Sequence, residues 1–218
     1  MQSHDDRMSN DGVAPEIAPP HEFWHWFLEN EQRLLHHDHT DENREEIFDD
    51  VLAALHKVDE NLSFEFGPQS PTREFIVSAG GIKDSFPAVL RLQAAQPALE
   101  RWEVTYFRPR RDPISTIEID DITIKSREME FSLLSRDKEI GLEVFISGYD
   151  DEDGRYKQIG YLFLDEALGE FDVETKVFYL RFFATSEPLK YERMPFQELP
   201  ERFDELYDRL NGLSSKPS

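Results

Sequence analysis

Two hydrophobic periods occupy separate parts of this 218-residue chain, and their order constrains the fold more than any other feature. Near the N-terminus, apolar residues recur at spacings of three and four, which is the period of an amphipathic helix. Between residues 102 and 146 they alternate with polar residues, which is the period of half-buried strands. No helical pattern separates these strands, so they are predicted to pair mainly antiparallel.

The predicted elements follow an irregular order, with no internal repeat and no regular alternation of strand and helix. Helices are expected over residues 21–35, 41–58, 85–95, 159–168 and 196–210. Strands are expected over residues 62–66, 75–79, 102–106, 117–124, 129–133, 140–146 and 177–183. This order predicts an α+β fold, with an antiparallel or mixed β-sheet of about six to seven strands covered by about five helices.

The stretch from residue 117 to residue 124 changes its alternation midway. Ile117 and Ile119 share one parity, whereas Ile122 and Ile124 take the other. A bulge or bend at Asp120-Asp121 would re-aim a single strand in this way.

Three further points concern the C-terminal third of the chain. Gly169 is expected to end a helix in the left-handed conformation. Glu170, Asp172 and Glu174 then share one parity, so a strand there would place three carboxylates on one face. Residues 177–183 are apolar on both parities, which predicts a central strand covered on both faces.

The charge balance restricts the classes of partner. Acidic residues outnumber basic ones 46 to 24, which gives a formal net charge of -22 and a sequence pI near 4.6. Such a surface repels phosphate backbones and anionic lipids, so neither nucleic acid nor a membrane is a predicted partner. The first 60 residues hold 16 acidic side chains against 4 basic ones. This excess either keeps the protein soluble or forms a binding surface for a basic protein.

The composition also predicts the domain organisation. Residues 1–20 are polar, include four proline or glycine residues and show no apolar period. They are therefore predicted to be a disordered leader. Residues 21–212 are predicted to form a single α+β domain, and residues 213–218 a disordered tail. The chain has no cysteine, no signal-peptide pattern and no apolar run of about 18 residues. A cytoplasmic location is therefore expected.

A basic cluster is the first candidate site. Arg101, Arg108, Arg110 and Arg111 lie close together in an otherwise acidic chain. Guanidinium groups bind carboxylates and phosphates with paired hydrogen bonds, so the cluster could bind an anion or a partner. Ion pairing with the chain's own carboxylates is the alternative.

Three histidines form a second candidate, a metal site. His36, His37 and His39 lie within one short polar segment, and imidazole is a common ligand of zinc and nickel. The spacing fits no standard metal motif, so a solvated loop is the alternative. No cofactor is predicted. The acidic run at residues 150–154 does not fit a calcium loop, because carboxylates are missing where ligands are required.

Tryptophans provide a third candidate. Trp24 and Trp26 lie in the dense aromatic segment at residues 23–27, and Trp102 lies in a predicted strand. If exposed, these rings would form an aromatic groove for a partner or ligand. Burial of the same rings in the core is the alternative.

Standard signatures of enzymes are absent from the sequence. It contains no GxSxG, no GxGxxG and no phosphate-binding glycine loop. We therefore expect a non-enzymatic, acidic binding or regulatory protein, such as an immunity or antitoxin-type inhibitor of a basic protein. The alternative is a hydrolase or small-molecule-binding enzyme that uses the arginine cluster with carboxylates. The carboxylate would come from Glu65, from Glu74 or from residues 170–172. The oligomeric state is left open.

Four segments carry a resemblance to a known family. They are FWxWFxxNE from Phe23, FIVSAG from Phe75, ALxxW with FRPR over residues 98–110, and LDxxLGExDV from Leu164. Together they resemble a family of uncharacterised bacterial proteins over residues 22 to about 183. The resemblance implies a bacterial and cytoplasmic protein, and it implies no activity or site residue.

Overall fold

The structure, a computed structural model, describes residues 18–37, 42–112, 116–188 and 190–213. Within these ranges the chain forms seven α-helices and nine strands. The predicted α+β class is confirmed, with antiparallel and mixed strand pairing. The strands belong to sheets of three, two and four strands rather than to one sheet, and both kinds of element are more numerous than expected.

The N-terminal helical segment is divided into two helices, where one was predicted. These are α1 (Pro19–Glu29) and α2 (Glu31–His36), so helical structure begins two residues before the predicted domain start. Asn30 separates them with φ -99° and ψ 4°, and its side-chain amide donates to the Trp26 carbonyl at 2.8 Å. An asparagine that competes for helical carbonyls favours a helix end, and the apolar period does not reveal this break.

The next helix, α3 (Arg44–His56), is preceded by Asn43. Asp41, where this helix was predicted to begin, lies outside the described residues. The apolar face of α3 is buried as the spacing predicted, with Ile47, Val51 and Leu55 all at most 2% exposed.

The first sheet combines a hairpin with a crossover. Strands β1 and β2 pair antiparallel, and β3 pairs with β2 in parallel. The parallel pairing requires a crossover connection, which α4 provides. The elements are β1 (Ser63–Phe66), β2 (Arg73–Ser78), α4 (Phe86–Ala94) and β3 (Trp102–Tyr106).

The predicted bulge at Asp120-Asp121 is wrong. These residues form the turn of a hairpin between β4 (Thr116–Ile119) and β5 (Ile122–Lys125), with Asp120 at φ 52°. Ile119 and Ile122 are cross-strand partners, so their side chains lie on the same face. A chain that reverses direction produces the same change of parity as a bulged strand.

The four-stranded sheet has the order β8-β7-β6-β9. Its strands are β6 (Met129–Arg136), β7 (Glu139–Ile146), β8 (Val177–Ala184) and β9 (Met194–Pro195). Strands β6 and β7 pair antiparallel around Asp137-Lys138, as predicted. Strand β8 pairs in parallel with β7 and lies at the edge, so its predicted central position is wrong. Its apolar side chains are partly exposed, with Phe178 at 71%.

Two helices, α5 (Gly154–Leu168) and α6 (Glu170–Lys176), connect β7 to β8. Gly169 separates them with φ 80° and ψ 141°, so its positive φ was predicted but its left-handed conformation was not found. Residues 170–174 are helical, so the alignment of three carboxylates that a strand there would produce does not occur. The last helix, α7 (Leu199–Asn211), ends before Gly212 at φ 67° and ψ 24°, in the left-handed region.

The buried apolar residues form two clusters. One joins α1–α4 to the first sheet, and it contains Phe23, Trp24, Phe27, Phe75 and Trp102. The other joins α5–α7 to the two remaining sheets. Each fully buried side chain of this size stabilises the fold by about 1.5–3 kcal/mol. The single domain over residues 21–212 remains a prediction. No helix among the described residues is both long and apolar enough to cross a membrane.

Replacing Gly160 with alanine is expected to destabilise the protein. In a helix interior alanine is ordinarily more favourable than glycine by about 1 kcal/mol, so the expected effect has the opposite sign. A Cβ on Gly160 of α5 would lie 2.3 Å from Cε1 of Phe182 on β8. The ring would have to move, so the midpoint of chemical unfolding should fall.

Gly154→Ala in the same helix is the matched control, because a Cβ there meets nothing within 4 Å. Adding Phe182→Leu to Gly160→Ala should restore part of the lost stability. Equal midpoints for the two alanine variants would contradict this account of the contact between α5 and β8.

Candidate functional site

A buried carboxylate lies between the two hydrophobic clusters. Glu170, at the start of α6, is 0% exposed. Its Oε1 accepts hydrogen bonds from the backbone N–H groups of Ala79 and Gly81, at 2.9 and 3.0 Å, and its Oε2 accepts one from the N–H of Arg108 at 2.9 Å. The carboxylate therefore links α6 to the chain segments that leave β2 and β3.

The side chain of Arg108 continues this network. Its Nε donates to Glu65 at 2.7 Å, and its Nη1 lies 3.4 Å from Asp165 of α5. Arg111 also contacts Glu65, at 3.1 Å. Arg108, Arg111 and Glu65 are thus brought together, and their geometry agrees with the alternative of ion pairing within the chain.

The other two arginines of the predicted cluster have different surroundings. Arg110 contacts Asp204 of α7 at 2.7 Å and Asp172 of α6 at 3.1 Å. Arg101 precedes β3, at the end of that strand opposite to Arg108, and its carbonyl accepts a hydrogen bond from the N–H of Arg73. The four arginines therefore do not converge on one anion.

A cavity of about 490 Å³ opens beside Arg108, and Asp165 and Glu174 contribute to its walls. Burial raises the pKa of Asp165 to about 7, although the positive charge of Arg108 opposes that shift. Burial also raises the pKa of Glu174, and the nearby Glu170 adds to the effect. A carboxyl group that titrates near neutrality can exchange protons, so this cavity meets one requirement of acid-base chemistry.

A groove of about 770 Å³ runs along the edge strand β8. Its walls include Leu180, Arg181 and Phe182 of β8 and Tyr161 of α5. Consecutive residues of a strand point to opposite faces, so a groove that touches all three residues of β8 follows the strand's edge. No strand within the described ranges pairs with this edge.

Backbone hydrogen bonding identifies the groups that face the groove. The N–H of Thr185 donates to the carbonyl of Ile146 on β7. Backbone groups alternate between the two edges of a strand, so the N–H groups of Leu180, Phe182 and Ala184 point away from β7. These groups are positioned to pair with an added strand.

The histidine cluster is not assembled into a metal site by the described residues. His36 is exposed, and its Nδ1 lies 2.6 Å from the Gln32 carbonyl. His37 is buried beside Arg73, whose positive charge would repel a metal ion bound there. His39 lies outside the described residues. Within the described part of the chain, no group of three or more potential metal ligands occurs.

The prediction of an exposed tryptophan groove is wrong for Trp24 and Trp102. Trp24 and Trp102 are 2% and 4% exposed and belong to the N-terminal hydrophobic cluster. The indole N–H of Trp24 donates to the carbonyl of Leu92 on α4 at 2.8 Å. Trp26 is half-buried and packs against the same cluster. The alternative of core packing accounts for these rings.

Comparison with known proteins gives no match to any family model, curated protein or solved structure. The resemblance to an uncharacterised bacterial family therefore remains a prediction. The sequence did not predict that Glu170 is buried or that β8 is an edge strand. The glycine at position 169, which has a positive φ, was a signal that a helix ends next to Glu170.

Glu170→Ala should lower the free energy of unfolding by about 3 kcal/mol or more, because three backbone N–H groups would lose their acceptor and each buried unpaired donor costs about 1–3 kcal/mol. Urea unfolding measures the change. Glu201→Ala, at an exposed position of α7, is the control and should have little effect. Equal unfolding free energies for the two variants would show that the Glu170 contacts contribute nothing.

The raised pKa of Asp165 predicts a pH dependence of stability. The folded state holds this proton more tightly than the unfolded chain, whose carboxyl has the ordinary value of 3.8. The contribution of Asp165 to stability is thus present below about pH 4 and is lost as the pH rises through about 7. Asp165→Asn cannot ionise, so its stability relative to the original protein should increase over this range.

Urea unfolding of both proteins at about pH 5 and about pH 8 tests this sign. Glu201→Gln, an exposed change of the same chemical type, should keep a constant difference from the original protein. A difference for Asp165→Asn that stays constant or shrinks with rising pH would mean that Asp165 is already ionised at the lower pH.

Proposed function

We propose that the chain is a non-enzymatic binding protein that accepts an extended, basic segment of a partner protein as an added strand along β8. The main support for this proposal is the open edge of β8, where outward-facing N–H groups border a groove of about 770 Å³. Strand addition supplies affinity through main-chain hydrogen bonds and selectivity through alternate side chains.

The composition of β8 supports this use of its edge. Natural sheets protect their edges with charges, prolines or short strands. Strand β8 is eight residues long, contains no proline and carries Arg181 as its one charged residue. The large side chains Phe178 and Tyr179 are 71% and 39% exposed. Such an edge is suited to contact with another chain.

Charge supports the choice of a basic partner. Asp150, Asp151 and Glu187 lie along the groove. Lys157 and Arg181 also line it, and Lys157 lies 2.8 Å from Asp151, so part of that positive charge is compensated locally. The net charge of -22 would also steer a basic protein toward this surface. Binding in the cytoplasm belongs to the same proposal.

The hydrolase alternative has less support. It would use Arg108 to bind an anionic group, but Glu65 and Asp165 already contact that guanidinium. It would also use Glu170, whose carboxylate accepts three backbone hydrogen bonds. These contacts favour a structural role for both side chains over substrate binding.

Capture from a native lysate with an edge variant tests the proposal. Ala184→Pro removes an outward-facing N–H without removing a bond to β7, and proline is tolerated at such edge positions. The tagged original protein should capture a basic protein at low salt and lose it at high salt, because exposed charges are screened over about 10 Å at 0.1 M. Ala184→Pro should capture much less of that protein at low salt.

Ala184→Ser keeps the N–H and serves as the matched control, so its capture should equal that of the original protein. Hydrogen exchange of the complex should show new protection at the amides of Leu180 and Phe182. Capture that Ala184→Pro retains, or exchange at β8 that is unchanged in the complex, would argue against strand addition at this edge.

A further inference from the structure

A further cavity, distant in sequence from β8, is lined among the described residues by cationic and neutral side chains, although the chain as a whole is acidic. It measures about 420 Å³ and lies where the end of α2, the start of α3 and the turn after β1 meet. Arg73, Arg44 and His37 contribute its cationic and imidazole groups, and Phe48 and Phe66 contribute apolar walls. None of the residues that line it, within the described part of the chain, is acidic.

Arg73 is the central residue of this cavity. It is 5% exposed, although arginine side chains are rarely buried without an acidic partner. Its Nε donates to the Gly67 carbonyl at 2.9 Å, and its Nη1 donates to the carbonyls of Leu34 and His37 at 2.8 and 3.0 Å. Its acceptors among the described residues are thus carbonyl groups and the His37 ring, not carboxylates.

The imidazole of His37 orients the remaining part of the guanidinium. His37 Nδ1 lies 2.8 Å from the Leu34 carbonyl and 3.3 Å from Nη1 of Arg73. Its Nε2 lies 3.4 Å from Nη2 of Arg73. Nη2 carries two N–H groups, and this long contact uses one of them. At least one strong donor of Arg73 is therefore available at the cavity.

The positive charge of Arg73 is only partly balanced. Carbonyl dipoles at the end of α2 interact favourably with a cation, but they carry partial charge and cannot neutralise a full one. Burial accordingly lowers the pKa of Arg73. Arg44 adds a second positive charge to the cavity wall and lies over the Phe48 ring, 5.0 Å from its centroid. A bound anion would compensate both cations.

We propose that this cavity binds a small organic anion, with its oxyanion group held by Arg73 and Arg44 and its apolar body packed against Phe48 and Phe66. The volume of about 420 Å³ is within the range of small-molecule sites. Guanidinium groups bind carboxylate and phosphate through charge-assisted hydrogen bonds, and aromatic walls favour a flat apolar body. This site is independent of the β8 edge, because it belongs to the other hydrophobic cluster.

Calorimetric titration with three aromatic probes tests the site. Benzoate and phenyl phosphate carry the two oxyanion chemistries, and benzamide is the uncharged analogue of benzoate. We expect saturable binding of at least one anionic probe, with affinity at least about tenfold above that of benzamide. The stronger anion identifies the source of the oxyanion group as a carboxylate or a phosphate.

Arg44→Gln tests the contribution of a residue at the exposed wall of the cavity. It should weaken binding of the anionic probe about tenfold while the midpoint of unfolding stays close to that of the original protein. Arg136→Gln, at the exposed C-terminal end of β6, makes the same charge change outside the cavity and should leave binding unchanged. Arg73→Met is less informative alone, because it also removes the donors to the backbone carbonyls of Gly67, Leu34 and His37.

Three outcomes would overturn the proposal. The first is that neither benzoate nor phenyl phosphate binds saturably. The second is that benzamide binds as well as benzoate, which would make the contact apolar only. The third is that Arg44→Gln and Arg136→Gln affect binding equally, which would assign the effect to the overall charge of the protein.

Discussion

The fold depends on the buried carboxylate of Glu170, because it is a fully buried polar group that joins the two hydrophobic clusters. Its oxygens accept N–H groups from the segments after β2 and after β3, while its own N–H donates to the Arg108 carbonyl. A buried ion is costly unless hydrogen bonds satisfy it, and here three backbone donors do so. The loops after two parallel strands are therefore fixed to the helix that leads into β8.

The sequence correctly predicted those helices and strands in which the apolar residues of the pattern are also the buried residues of the structure. The buried face of α3 and the pairing of β6 with β7 follow directly from spacings of three to four and of two. The errors have a common origin, since periodicity reports which side chains share a face and not how the backbone continues. It could not detect the helix break at Asn30, and it could not distinguish the β4–β5 hairpin from a bulge. Strand β8 appeared central because an open edge and a covered strand can have the same apolar composition.

The candidate sites were less predictable than the elements, because they depend on contacts between residues far apart in sequence. The arginine cluster was visible in the sequence, but the carboxylates that contact it lie up to 94 positions away. The alternatives of ion pairing for the arginines and core packing for Trp24 and Trp102 agree with the structure. Arg73 carried no signal of its own, since it resembles any charged residue at the start of a strand. Its importance becomes visible only through its burial.

Glu170 and Arg73 are buried ions of opposite sign, and their surroundings explain why we assign them different roles. The carboxylate of Glu170 has donors at both oxygens and is 0% exposed, so it is satisfied by the protein itself. The guanidinium of Arg73 has five N–H groups, and Nη2 has one long contact to an imidazole among the described residues. It also borders a cavity that a second arginine lines. A satisfied buried ion stabilises one arrangement of the chain, whereas a buried ion with a donor remaining at a cavity can select a ligand of opposite charge. The net charge of -22 opposes the approach of an anion, so the attraction at this cavity has to come from Arg73 and Arg44.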